Sequence, residues 1–234
     1  MVNLARFQKF REVLDQRQPD LRVIAEKVHK PHNIAAVMRS ADAVGVAHLH
    51  MVWPWEHDKF PRGTSGGSER YVRLHRHSST EEAVTLLKSQ GHKIYAAHFS
   101  DRAVDYRKIN YIEPCALLVG AEKHGVSDAA AQLADEHVII PMRGMVASFN
   151  VSVAASIILE EAHRQRDLAG CYAQPRLAPE AYHRFLFRWT HPAFADKCDL
   201  LNLPYPSLDE AGEVVASAEW WQLMRQSVSG LTQT

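Results

Sequence analysis

Residues 117–161 read LLVGAEKHGVSDAAAQLADEHVIIPMRGMVASFNVSVAASIILEE, and the order of apolar runs and breaks in this stretch decides the fold. Leu117–Val119 is an unbroken apolar run closed by Gly120, and Val138–Ile140 is a second one closed by Pro141. Short apolar runs that end in turns suit strands covered on both faces, as in a parallel sheet. Between them the sequence predicts a Gly-turn-Gly loop and a short helix; after them, an irregular loop and a long helix from Val151. Ligands of such sheets sit beyond the carboxyl ends of the strands. The loops 120–127 and 141–150 are therefore expected to shape one pocket.

Working outward, four more strands are expected at Leu21–Val28, Leu49–Trp53, Val72–Leu74 and Lys93–His98, with a helix over Glu81–Gln90 stopped by Gly91. The segment VHKPHNIAAVMRSADAVGV, residues 28–46, predicts a helix with Asn33 as its N-cap and Ile34, Val37, Met38, Ala41 and Val44 on its buried stripe. Arg39 lies roughly 140° from Ile34 at 100° per residue, free to enter a cleft or to pair with Asp42. Gly45 ends the helix. Strands alternating with helices make an α/β fold with a mostly parallel sheet flanked by helices. Residues 54–70 form a loop rich in small residues, including Arg62, Gly63, Ser65, Gly66, Gly67 and Ser68, whose spacing fits no phosphate-binding fingerprint.

Both ends carry helical extensions. Leu4, Phe7, Phe10, Val13 and Leu14 fall at helical spacing, with Arg6, Lys9, Arg11 and Arg17 on the polar side. Beyond Gly170, five prolines from Pro175 to Pro206 punctuate helices containing Tyr182–Trp189 and Ala193–Leu201, and Trp220 and Trp221 follow. The expected division is 1–19, an N-terminal extension; 20–170, the α/β domain; and 171–234, a C-terminal helical extension.

Composition narrows the class. With 234 residues, 46% apolar and 23% charged, the chain can bury a sizeable core and is not disordered. Net charge is zero, but residues 193–234 carry six acids against Lys197 and Arg225, which leaves the rest of the chain modestly basic. A basic body of this kind can bind a polyanion through a local patch. Cys115, Cys171 and Cys198 are odd in number and far apart, which speaks against a disulfide framework and a structural zinc site. No apolar run long enough for export or membrane insertion is present, so a cytoplasmic protein is expected, without membrane partners. The stretch Gly120–Gly125 lacks the Ser/Thr of a P-loop, and no GxGxxG follows the first strand. His48/His50 and His75/His77 alternate on strands, but no carboxylate or cysteine accompanies them in sequence, so no metal is expected.

Three groups of residues together resemble the TrmH family of SPOUT methyltransferases, which act on RNA ribose 2′-hydroxyls. The first is Asn33 and Arg39, six apart after an early strand. The second is Gly120, Glu122, Gly125 and Ser127. The third is Pro141, Met142, Gly144, Ser148, Phe149, Asn150, Val151, Ser152 and Ala154. Their order matches, and the resemblance extends from about Arg6 to Pro206. Within the family it is nearest to the tRNA enzymes that methylate a D-loop guanosine. The resemblance implies a C-terminal deep trefoil knot, a homodimer, and S-adenosylmethionine as cofactor, bound by Ala97, Val119, Gly120, Ile140, Met142, Gly144, Ser148, Phe149 and Asn150. It also implies that the small-residue loop faces RNA.

For catalysis the resemblance singles out Arg39, Asn33 and Glu122. A guanidinium stays charged in proteins, so Arg39 is read as stabilising the alkoxide that develops at the ribose rather than as a base. Asn33 would orient Arg39 or the ribose, and Glu122 would orient Arg39 or fix the knot loop. Ser148 and Asn150 would hold the knot loop or the cofactor, or cap the helix from Val151. The substrate is read as tRNA, contacted by Arg6, Arg11, Arg17, His32, Arg164 and Arg166. The rivals are ribosomal RNA as substrate and a catalytically silent RNA-binding protein on the same fold.

Overall fold

The structure is a computed structural model that describes residues 2–52 and 67–226. Trp53 and the loop positions Arg62, Gly63, Ser65 and Gly66 lie outside the described residues. The chain divides into two compact units: Gln16–Arg176, and Met1–Asp15 together with Leu177–Thr234. Residues 1–15 and 177–234 thus fall in one unit, while 16–19 and 171–176, expected in the extensions, belong with the sheet.

The chain opens with α1 (Leu4–Asp15), which belongs to the terminal unit. The sheet unit then runs β1 (Leu21–Glu26), α2 (Pro31–Ala43), β2 (His48–Val52), β3 (Arg73–His77), α3 (Thr80–Ser89), β4 (Lys93–Ala97), β5 (Val104–Asp105), β6 (Cys115–Val119), α4 (Asp128–Leu133), β7 (Glu136–Ile139) and α5 (Val151–Leu168). The strands form one sheet in the order β3-β2-β1-β6-β4-β7-β5, and every neighbouring pair is parallel. The centre is β1 against β6, with Val23 opposite Leu117 and Ala25 opposite Val119. The expected strands are present, though the third runs to His77 rather than stopping at Leu74. The two-residue β5 is too short to leave a pattern in the sequence.

Period-two alternation sends side chains to both faces, and each face has its own core. Val23, Ala25, Leu49, Leu117 and Val119 pack in one cluster with Ile34, Val37, Met38 and Ala41 of α2 and Ala155, Ile158, Leu159 and Ala162 of α5. Ile24, Ile94, Ala96, Ala116 and Leu118 pack with Ala83, Val84 and Leu87 of α3 and Ala130 and Ala131 of α4. Each full burial of a Val, Leu or Ile side chain contributes about 1.5–3 kcal/mol, so this double cover explains why the central strands read as unbroken apolar runs. Small residues let α5 approach α2 closely, and Ser40 Oγ lies 2.7 Å from Ser156 Oγ.

One boundary differs from expectation. Helix α2 starts at Pro31, with Lys30 as an N-cap that makes no side-chain bond, so Asn33 is inside the first turn and does not cap it. Proline supplies the fixed φ and missing N–H that suit a first helical position. That releases the Asn33 amide for another task.

The terminal unit holds α1, α6 (Pro179–Thr190), α7 (Pro192–Leu200), an antiparallel pair β8 (Ser207–Leu208) and β9 (Val214–Val215), and α8 (Ala218–Arg225). Its core is aromatic. Phe10 of α1 meets Trp189 of α6 edge-on at 5.7 Å, and Phe7 packs so closely on Gly212 that a Cβ there would lie 2.7 Å from its ring. Phe194 meets Trp220 and Trp221 edge-on at 5.5 and 5.7 Å. Part of the acidity of this segment is neutralised internally: Arg188 pairs with Asp196 at 2.8 Å and also with Asp199.

Candidate functional site

The carboxyl ends of β4, β6 and β7 lie side by side, and the loops that leave them surround a cavity of about 650 Å³. Seven of the nine residues expected to hold a cofactor line it: Ala97, Val119, Gly120, Ile140, Met142, Ser148 and Phe149. Gly144 and Asn150 are not part of that lining. The walls are largely aliphatic, which suits a ligand with an apolar or aromatic body. His98, Phe99 and Lys123 also line the cavity and are not among the expected cofactor residues; His98 lies just past β4 rather than at its end, and Phe99 and Lys123 sit in loops without periodicity.

Gly120 is dictated by its surroundings. The chain turns at once and closes through Gly125 N–H donating to Ala121 O at 2.8 Å. A Cβ at position 120 would lie 2.0 Å from Gly125 O, far inside van der Waals contact. Glycine therefore lets the cavity wall be backbone. Ser127, one of the motif letters, is turned away from this wall. Its N–H and Oγ donate to the buried Glu26 carboxylate, both at 2.8 Å, and Thr80 Oγ1 donates to the same group at 2.9 Å.

Beside the cavity three loops are tied by side-chain amides. Asn33 Nδ2 donates to Glu122 Oε1 at 2.7 Å, and Asn150 Nδ2 donates to Asn33 Oδ1 at 3.3 Å. Lys30 N–H also donates to Glu122 Oε1 at 3.3 Å. Asn150 in turn caps α5, accepting from Ser152 N–H at 2.9 Å and Ser152 Oγ at 2.7 Å. Burial pushes the Glu122 carboxyl up, but the hydrogen bonds from Asn33 and backbone N–H groups outweigh it and hold it below its ordinary value. Glu122 is thus an ionised acceptor that both lines the cavity and fixes Asn33, which is itself only 2% exposed.

Arg39 stands apart. It is exposed on α2, does not line the cavity, and among the described residues makes no side-chain hydrogen bond or ion pair. Neither Asn33 nor Glu122 bonds to it. Pairing with Asp42 does not occur, because Asp42 Oδ1 is taken by Arg17. The sequence-derived group of Arg39, Asn33 and Glu122 is therefore a bonded Asn33–Glu122 pair plus a solvent-facing cation.

Two of the six expected RNA contacts are corrected. Arg17 is 0% exposed, pairs with Asp42 and donates to Val46 O at 2.9 Å. Arg166 is 0% exposed and pairs with Asp20 at 2.6 Å, which Arg176 also reaches at 2.8 Å. Both guanidinium groups are inside the sheet unit and have no surface to offer a phosphate. Arg6, Arg11, His32 and Arg164 are exposed. Arg164 is engaged by Glu161 at 2.7 Å.

The strand histidines bond to one another. His48 Nδ1 lies 2.8 Å from His75 Nε2, His50 Nδ1 lies 2.9 Å from His77 Nε2, and His77 Nδ1 lies 3.2 Å from Glu82 Oε1. Among the described residues no group of three or more His, Cys, Asp or Glu is arranged to hold a metal ion, and no helix is long and apolar enough to cross a membrane.

Residues 20–160 match the model of the SpoU rRNA methylase family, and residues 164–217 match that of the SpoU rRNA methylase C-terminal segment. The chain is 45% identical over 226 residues to the tRNA (guanosine(18)-2'-O)-methyltransferase of Escherichia coli strain K12, covering 96% of this chain and 99% of that one. Among solved structures it resembles the TrmH/SpoU tRNA modifying enzyme of A. aeolicus, with a TM-score of 0.75, 38% identity, and coverage of 80% and 96% of the two chains. It also resembles an AdoMet-bound rRNA methyltransferase from Sinorhizobium meliloti, with a TM-score of 0.57, 30% identity, and coverage of 66% and 59%.

Proposed function

The chain belongs to the SpoU rRNA methylase family, and from that premise we propose that it transfers a methyl group from S-adenosylmethionine to the ribose 2′-hydroxyl of a guanosine in the tRNA D-loop. The observation that carries this reading is the cavity at the ends of β4, β6 and β7, with Glu122 in its wall and Asn33 and Asn150 bonded in series beside it. The tRNA specificity is supported by the E. coli relative, whose name gives that reaction and which matches over nearly its whole length.

The residues present fit the cofactor. S-adenosylmethionine supplies an electrophilic methyl group on a sulfonium. Val119, Ile140, Met142 and Phe149 would give it apolar walls that exclude water, and the bare backbone at Gly120 permits close approach. Asn33, held between the Glu122 carboxylate and Asn150, positions the start of α2, the helix that carries Arg39. Arg39 has its charge free for the substrate and stabilises the alkoxide that develops as the 2′-hydroxyl attacks. A phosphate of the RNA takes the proton, because the guanidinium stays protonated. Positioning accounts for much of the rate of such a transfer.

Exposed Arg6, Arg11, His32 and Arg164 are the phosphate contacts in this reading. The loop 141–150 adopts the family's knot, and a second copy of the chain covers its apolar side. Met145 is fully exposed there and Val146 largely so, and Val153 on the adjoining α5 is partly exposed. The compartment is the cytoplasm, where tRNA is found. Purified protein given unmodified tRNA transcript and tritiated S-adenosylmethionine tests the reading. Label in tRNA is expected. Label in ribosomal RNA alone would move the substrate, and cofactor binding without transfer would mark a silent RNA binder.

A further inference from the structure

Phe99 lies two residues past the end of β4 and lines the mouth of the cavity, yet it is 84% exposed. A large aromatic left in water at a site's entrance loses the favourable burial that normally holds such rings inside. Its backbone is nevertheless well anchored. His98 N–H donates to Val138 O at 3.3 Å, and Ala103 N–H donates to Ser100 O at 3.0 Å. Behind it stands His137, 6% exposed, whose Nδ1 lies 2.7 Å from Ser100 Oγ and whose Nε2 lies 2.7 Å from Arg102 Nη2. Nε2 also lies 2.8 Å from Ala131 O, so the imidazole is held through both of its ring nitrogens. Arg102 Nη2 also reaches Ala131 O and Ala134 O, each at 3.3 Å, and His98 meets His137 edge-on at 5.0 Å. The loop carrying Phe99 is thus clamped to α4 and β7 on both sides of the exposed ring.

We propose that Phe99 is a stacking platform for the base of the nucleotide being methylated. This rests on the reading of the site as an RNA ribose methyltransferase. A 2′-hydroxyl inside a folded RNA loop reaches a deep cavity only if its nucleotide is splayed from its neighbours. Proteins hold such splayed bases against aromatic faces. The cavity interior is already walled by aliphatic side chains and backbone, whereas Phe99 sits at the rim, where the RNA arrives. With its loop held by the His137 clamp, the ring is presented at a fixed place on the rim and the backbone beneath it needs no rearrangement to receive a base. The stack acts on any base, since every base has a π-face. Phe99 therefore positions the nucleotide without reading its identity.

The test compares the full-length wild type, Phe99→Ala, Phe99→Trp and Phe99→Leu. Each is assayed for cofactor affinity and for kcat/KM on a tRNA carrying either the normal target guanosine or an abasic ribose at that position. On the normal substrate Phe99→Ala lowers kcat/KM by roughly 5- to 150-fold, the range for removal of one base–aromatic stack. Phe99→Trp restores most of the rate and Phe99→Leu does not, while S-adenosylmethionine affinity changes by less than about twofold. On the abasic substrate wild type and Phe99→Ala converge. An unchanged kcat/KM in Phe99→Ala, a deficit that persists on the abasic substrate, or a parallel loss of cofactor affinity would each overturn the proposal. Absence of transfer by the wild type itself would instead overturn the reading on which it rests.

Discussion

Asn33 and Glu122, 89 residues apart in the chain, are joined by a 2.7 Å hydrogen bond from the amide to the carboxylate. The bond connects the first turn of α2 to the loop after β6, and Asn150 extends it to the cap of α5. Because Glu122 is held below its ordinary value first against burial and then by these donors, the bond is charge-assisted and persists at neutral pH.

Replacing Asn33 by Asp keeps the shape and places a second carboxylate against the first. Like charges at this distance raise one of the two pKa values and strain the loops. Asn33→Asp is expected to lose more stability and more methyl transfer than Asn33→Ala, which forfeits the bonds with Glu122 and Asn150, at about 1–3 kcal/mol. Thermal unfolding and single-turnover rates on tRNA measure both. An Asp variant as stable and active as wild type would mean that the pair is incidental.

Arg39 is exposed and, among the described residues, unpaired. Arg39→Ala is therefore expected to change stability by less than about 0.5 kcal/mol, the usual range for such surface sites, while transfer falls at least 100-fold and cofactor affinity holds. Urea unfolding alongside a methylation time course separates the two. Retained transfer in a folded variant would remove Arg39 from the chemistry.

What could be read from the residues, and what could not, follows from their physical signals. The unbroken runs Leu117–Val119 and Val138–Ile140 announce buried parallel strands, and loops after them necessarily face the same end, so the cavity was legible. Pro31 carries the signal that moves the start of α2 ahead of Asn33, since proline favours a first helical position. Arg166 was also readable in principle. It continues the buried spacing Ile158, Ala162 at four-residue steps, whereas Arg164 lies about 200° away on the solvent side. Arg17 carried no such signal. It follows the last turn of α1, and its burial depends on Asp42 and Val46, distant in sequence and visible only in three dimensions. Phe99 and its clamp were hidden for the same reason, because loop contacts obey no period.

Stability is expected to fall in mild acid. Burial first, and then the cations Arg22 and Arg73 and the neighbouring histidines, push His48, His50 and His75 down to about 2, 3 and 4. His77, bonded to Glu82, and His92, with Asp20 near it, complete the titratable surroundings. In the unfolded chain these imidazoles titrate near about 6.5. Below that value the unfolded state gains protons that the native state refuses, so stability is full above about pH 6.5 and falls toward about pH 4. The slope is at most about 1.4 kcal/mol per pH unit for each histidine, and less where solvent reaches the ring. Urea unfolding at pH 7.5, 6.5 and 5.5 checks this, with His75→Gln expected to flatten the dependence. Equal stability at the three values would contradict it.

Buried and exposed arginines should separate cleanly. Arg166→Ala leaves Asp20 with Arg176 alone and opens the interior, at a cost of about 3–5 kcal/mol for breaking a buried pair, without changing how tRNA affinity depends on salt at temperatures where the variant is folded. Arg6→Ala with Arg11→Ala should leave stability nearly unchanged and lower the salt slope by about one to two ions. Binding isotherms at 50, 100 and 200 mM salt, paired with melting curves, read both. The reverse pattern would restore Arg166 as an RNA contact.

The most direct test of the account is the chemical position of the transferred methyl group. Transcribed tRNA labelled by the wild-type protein with tritiated S-adenosylmethionine is hydrolysed in alkali, which spares only phosphodiesters next to a 2′-O-methylated ribose. The account predicts that the tritium is recovered in one alkali-stable dinucleotide whose first residue is the D-loop guanosine. Tritium recovered in mononucleotides would place the methyl group on a base and contradict the account.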